Sequence, residues 1–403
     1  MPNVLIDDRP AVTRQDGGRG GWAAVFAVAV GISSLMTSEL LPVGLLTPVG
    51  SDLDVSEGTA GLMVTAPGLV AAFSAPLLTV AAGRFDRRIV LVALIALVGA
   101  ANLVSAFATN FATVLVARLL IGISVGGFWA VAGSLALRLV PADQVARATA
   151  VVFGGVSTAS VLGVPAGTWL GELAGWRVAF GAVGVLGLLA LVGLLTLLPP
   201  LPAERTPALA DLGTLLRTNR GVRVGLAATF LLITGQFVAY TFVRPVLQDV
   251  TGTGGGSVGA LLLVYGIAGV VGNFAAGSVA SRGVRRALLG VAGGLAAALV
   301  LIAAIGSAGH PWATAAPLLV LWGLAYGAVP VCLQTWILKS APAEGEAASS
   351  LFVAVFNLSI ALGALLGGFA VEGIATAAVL WLGGALVLAT ALAVGTAAEP
   401  ADA

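Results

Sequence analysis

Two side chains could do chemistry that their surroundings would otherwise forbid. Glu39 is the only acid set well inside a long apolar run, in T-S-E-L-L-P-V-G-L-L from Thr37 to Leu46. Arg118 is the only base so placed, at the head of R-L-L-I-G-I-S-V-G-G-F-W-A. An ionisable group in hydrocarbon costs about 2.5 to 3.5 kcal/mol on insertion scales, so it is a functional candidate by default, and a carboxylate can carry a proton. Glu39 precedes the end of its run at Pro48 by nine residues, and Arg118 follows the start of its own at Phe111 by seven. At 1.5 Å per residue these are about 13 and 10 Å, the same depth if the two runs are antiparallel. A neighbouring guanidinium favours the ionised carboxylate and burial the protonated one, a balance that alternating exposure could tip. The plainer alternative is a fixed ion pair bracing two helices.

Other chemistries lack their parts. There is one histidine, His310, one cysteine, Cys332, and no H-E-x-x-H, which leaves little to hold a metal or activate a nucleophile. The sole lysine, Lys339, sits in Q-T-W-I-L-K-S without a glycine cradle, so no phosphate loop is present. An intramembrane enzyme and a nucleotide-driven pump are therefore disfavoured. No cofactor and no nucleic-acid partner is expected.

The elements that must position these residues are set by composition. Hydrophobic residues make up 59% of the 403 and charged ones 9%, against about 25% charged in an ordinary soluble domain. Apolar runs recur at 22–48, 58–80, 89–108, 111–137, 146–170 and 176–198, then at 222–247, 257–280, 286–306, 312–338, 346–371 and 375–396. Each is long enough to cross a hydrocarbon core of about 30 Å as a helix, and lipid leaves the backbone no other partner than itself. The expected fold is an all-α membrane protein of twelve transmembrane helices, and the 55 glycines suit close helix approach. With both termini on one side, 16 of the 19 basic residues fall there, leaving Arg177 and Arg244 opposite and Arg118 within a run. The positive-inside rule then puts both ends and the long central loop in the cytoplasm, in a multi-pass inner-membrane protein. Tags at either terminus and near Thr206 are expected to be reached only from the cytoplasm. A terminus accessible from outside overturns this topology.

The chain also repeats itself. T-V-A-A-G-R-F-D-R-R from Thr79 to Arg88 returns as G-S-V-A-S-R-G-V-R-R from Gly277 to Arg286, with Arg84 and Arg88 matched by Arg282 and Arg286. Gly122, Gly126 and Pro141 return as Gly323, Gly327 and Pro342, and Gly163, Gly167 and Glu172 as Gly363, Gly367 and Glu372. The division expected is a tail at 1–21, six-helix bundles at 22–198 and 222–396, a linker at 199–221 and a tail at 397–403. Two parallel six-helix halves joined by a cytoplasmic linker describe the major facilitator architecture, which works by rocking about a central site.

Within that frame Gln236 is the repeat mate of Glu39, and with Tyr240 one turn on it presents a hydrogen-bonding face to a cavity, or else a satisfied bond between helices. Asn357 is a further amide of that kind. Trp129 lies eleven residues, about three turns, past Arg118 and so shares its face, where a flat ring suits a sugar or an aromatic ligand. Pro165 between Gly163 and Gly167 predicts a kink in a close-packed seam.

The first-half motifs quoted above, with G-V-P-A-G-T-W-L-G from Gly163 to Gly171 and G-W-R from Gly175 to Arg177, resemble the bacterial sugar and arabinose efflux transporters of the major facilitator superfamily. The helix around Pro165 resembles that superfamily's antiporter signature. The resemblance implies an exporter of sugars, sugar-like inducers or amphipathic drugs such as chloramphenicol, driven by protons; a monomer is expected. It also implies an aspartate before the first arginine of R-x-x-R-R, a place held here by Gly83 and, in the repeat, Ser281; Asp86, one turn later, is a possible substitute in a charge lock between the halves. Architecture alone leaves a proton-linked importer or facilitator open.

Overall fold

The computed structural model describes residues 19–82, 85–132, 138–141, 144–202, 209–280, 283–306, 315–342 and 344–397. The first half contains α1 (Arg19–Asp52), α2 (Leu62–Ala82), α3 (Arg87–Ala106), α4 (Phe111–Ala132), α5 and α6 (Trp176–Leu197). The second contains α7 (Arg220–Tyr240), α8 (Gly255–Ala280), α9 (Val284–Gly306), α10 (Ala315–Ser340), α11 (Gly345–Gly373) and α12 (Ala378–Gly395). Eleven of these are long and apolar enough to span a membrane as single helices. The remaining expected crossing, α5, is an interrupted rod: Val145–Thr158, a π-helical turn Ala159–Gly163, then Val164–Ala174. Pro165 cannot donate to the carbonyl one turn back, and the helix widens just before it. The expected kink is thus a π turn.

The halves are built alike. In the first, α2 packs on α4, α3 on α6, and α1 on α5 and α6; in the second, α8 packs on α10, α9 on α12, and α7 on α11 and α12. An arginine cap recurs as well, one residue out of register in the repeat. Arg88 Nη2 donates to the Leu195 carbonyl in the last turn of α6 at 2.6 Å, and Arg285 donates to the Gly395 carbonyl that ends α12. The last carbonyls of a helix have no intrahelical donor and carry its negative pole, so a guanidinium is a natural partner.

Arg88 therefore ties helices within one half. Asp86 does not lock the halves together: it is the N-cap of α3, accepting from Arg88 N at 2.8 Å and from Leu201 N of the linker at 3.0 Å. Arg286 is exposed. Arg84, Gly83, Ser281 and Arg282 lie outside the described residues. The linker carries a short helix, Leu209–Thr218, that buries Leu212 and Leu215. The halves meet where α2 runs along α11, α5 along α8, and the far end of α1 against Val243–Pro245.

Candidate functional site

A proline organises the centre of the molecule. Pro42 has no N–H, so the Ser38 carbonyl one turn earlier loses its helical donor at a depth where no water replaces it. Arg118 fills the vacancy, its Nη1 and Nη2 donating to Ser38 O at 2.8 and 2.9 Å. Nη2 also reaches the Ser38 hydroxyl at 3.2 Å, and Asn102 of α3 donates to the same oxygen at 2.7 Å. The Phe180 ring of α6 covers the guanidinium, 5.7 Å from its centroid to Cζ. Arg118, Ser38 and Asn102 are all buried.

Glu39, the next residue, is not part of this knot. Its carboxyl makes no hydrogen bond or ion pair among the described residues, so the direct pair with Arg118 is absent, and the guanidinium holds the neighbouring backbone instead. The orientation follows from α5. A Cβ on Gly163 would stand 2.6 Å from Thr37 Oγ1, and Cβ atoms on Gly167 and Gly171 would overlap Leu41 and Leu45. Glycine at these places lets α5 lie directly on the Thr37–Leu41–Leu45 face of α1. Glu39 is about 200° round the helix from Thr37 and leaves on the opposite side. It is half-buried, deep within the bundle.

The second half presents aromatic rings. Tyr240 stacks on Tyr265 with centroids 5.0 Å apart, and Trp322 stands edge-on to both at 6.2 and 5.7 Å. Gln236 ties them: Trp322 Nε1 donates to its Oε1 at 2.7 Å, and its Nε2 donates to the Tyr265 hydroxyl at 3.1 Å. Of the two alternatives weighed for Gln236, the satisfied bond between helices describes its side chain. Phe237 links Tyr240 at 6.0 Å to Tyr326 at 6.2 Å. Tyr326 is half-buried and lies within electrostatic range of Glu39 of the opposite half.

The chain has three tyrosines, and all three converge here. Their scarcity was the available signal for Tyr265, whereas Tyr326 and Trp322 are legible from their depth within an apolar run as rings that could line a cavity. Asn357 is buried, with Nδ2 donating to Val353 O of its own helix, and its backbone carbonyl lines the close crossing of Gly68 in α2 over α11. Trp129 is partly buried against Phe128 near the described end of α4, about 16 Å along the helix from Arg118. The structure thus sets Glu39 near Arg118 in the first half and joins Gln236 and Tyr240 through Trp322 and Tyr265 in the second, with Asn357 in the seam of α2 on α11 and Trp129 apart.

At the end of the bundle away from the termini, the halves are clasped. Pro48 orphans the Gly44 carbonyl as Pro42 orphans that of Ser38, and the donor comes from the other half: Arg244 Nη1 at 3.0 Å. Arg244 Nη2 pairs with Glu172 Oε1 at 3.1 Å. The repeat mate of Glu172 is Glu372, which accepts from the Ser56 hydroxyl and from Thr59 N at 3.2 Å. Each half thus extends a glutamate from its fifth helix onto the other half.

This repeated architecture has its counterpart among known proteins. The family model described as Major Facilitator Superfamily matches residues 22–351. The chain belongs to the major facilitator superfamily. It is thereby a multi-pass membrane transporter, with the twelve-helix fold expected of the superfamily. The purine ribonucleoside efflux pump NepI of Salmonella typhi is 40% identical over 382 residues, covering 94% of this chain and 95% of that protein. The protein of the same name from Salmonella typhimurium strain LT2 matches to the same extent. Among solved structures, a bacterial homolog of the human lysosomal transporter Spinster shares the superfamily fold at a TM-score of 0.70 and 15% identity, over 94% of this chain and 95% of that one. The human organic anion transporter MFSD10 does so at 0.67 and 19%, over 94% and 100%.

Proposed function

We propose that this chain exports purine ribonucleosides in exchange for protons, by alternating access. The observation that carries the reading is a carboxyl deep in the first half, Glu39, that makes no hydrogen bond among the described residues and lies within electrostatic range of Tyr326, a ring of the second half's aromatic cluster. A purine ribonucleoside offers a flat base to such rings and a set of N–H and O–H donors to such a carboxylate. The 40% identical relatives named for purine ribonucleoside efflux support the same substrate class. That narrows the sugar and drug classes implied by the first-half motifs, since a riboside joins a sugar to an aromatic ring. Substrate and proton compete for Glu39, which enforces exchange. The clasp of Arg244 with Glu172 and of Glu372 with Ser56 closes the outer end, so this is the state that loads from the cytoplasm.

Energised everted vesicles containing the chain should accumulate labelled guanosine, and adding guanosine should raise their lumenal pH. A protonophore should abolish both responses. Accumulation by intact cells that rises with expression would mean import, and guanosine uptake without any pH response would remove the proton from the cycle.

A further inference from the structure

We infer that Tyr326 is the specificity-determining residue of this site, the ring on which the purine stacks opposite the Glu39 carboxylate. The inference rests on the export reading above and assigns the base to one face of one side chain. The other rings are committed: Tyr240 and Tyr265 cover each other, Trp322 closes their edges, and Gln236 fixes Trp322 and Tyr265 through its amide. Among the described rings Tyr326 meets only Phe237, edge-on, and it keeps part of its surface open. Its hydroxyl has no hydrogen-bond partner among the described residues. Pro330, four residues on, also withholds the usual donor from the Tyr326 carbonyl, so the helix wall is locally polar beside the ring.

The locked rings hold Phe237, Phe237 holds Tyr326, and Tyr326 is left as the surface a ligand can cover. A base on that ring would direct its N–H groups, or the hydroxyls of its ribose, toward Glu39, which accepts them when ionised and loses an acceptor when protonated. Base–aromatic stacking grows with ring area, so a bicyclic purine gains more from Tyr326 than a pyrimidine does.

The test is exchange in proteoliposomes with guanosine and uridine. Tyr326→Leu removes the ring and should raise the KM for guanosine about tenfold or more, and that for uridine less, with the maximal rate kept. Tyr326→Phe retains the ring and should keep the guanosine KM near that of the parent, and Tyr326→Trp should keep or lower it. A Leu variant with an unchanged guanosine KM overturns the inference. So does a Phe or Trp variant that raises the guanosine KM as much as Leu is expected to, and this arm stands even if the Leu variant fails to fold. If the parent chain exchanges no nucleoside at all, the export reading itself fails and this inference falls with it. Parent exchange that is indifferent to position 326 removes this inference alone.

Discussion

Glu39→Gln is expected to uncouple the transporter while leaving it able to bind and exchange. Glutamine keeps the shape and one acceptor of the glutamate but cannot take up a proton. One proton moving down about 100 mV supplies roughly 2.3 kcal/mol, which sustains about a fiftyfold substrate gradient. With glutamine in place that gradient should collapse to equality in energised vesicles, while nucleoside-for-nucleoside exchange across the same membrane persists. The contacts of Glu39 separate this from a folding defect. Its carboxyl makes no hydrogen bond among the described residues: the two terminal nitrogens of Arg118 donate to Ser38 O, and α5 rests on Thr37 and Leu41. A fixed ion pair would behave otherwise, since removing one partner of a buried pair costs about 3 to 5 kcal/mol and would cut expression. Uphill accumulation that still tracks the pH gradient in the Glu39→Gln variant would sink the coupling role.

Much of the architecture was legible because lipid narrows the choices. Runs of about 20 apolar residues become helices for want of any other hydrogen-bond partner, and the duplicated R-x-x-R-R reports two like halves. Glu39 and Arg118 were legible as the only charges deep inside runs. Their relation was not, although half of it is written in order: Pro42 stands four residues after Ser38 and so frees its carbonyl. Which donor answers depends on the packing of α4 against α1, a contact between residues 80 apart. The same limit hid the role of Gln236, whose partners Trp322 and Tyr265 lie 86 and 29 residues away. Arg244 looked like one of two outlying charges that obeyed no rule. It answers the second proline-freed carbonyl, that of Gly44, from the opposite half.

That bond sets the second large effect, at the outer clasp. Arg244 is buried, its Nη1 on Gly44 O and its Nη2 on Glu172, so Arg244→Gln leaves a carbonyl and a carboxylate without their donor. An unsatisfied buried polar group costs about 1 to 3 kcal/mol, and 1.4 kcal/mol is tenfold in a population. The cost applies only to the state in which the halves meet at this end, so the substitution should shift the equilibrium toward an outer-open form by roughly tenfold or more. Ala60 is buried in the closed seam beside α11, so an Ala60→Cys reporter reads the shift once Cys332 is replaced by serine. Labelling of that introduced thiol by an impermeant maleimide from outside should rise in Arg244→Gln, and rise less in Glu172→Gln, where Arg244 still holds Gly44. Pro48→Ala decides whether the carbonyl matters. Alanine there restores a helical N–H to Gly44 O, so in that background Arg244→Gln should open the outer end less than it does with proline in place. Equal opening in both backgrounds would leave the Glu172 pair as the whole clasp, and no change in labelling from Arg244→Gln would remove Arg244 from the gate.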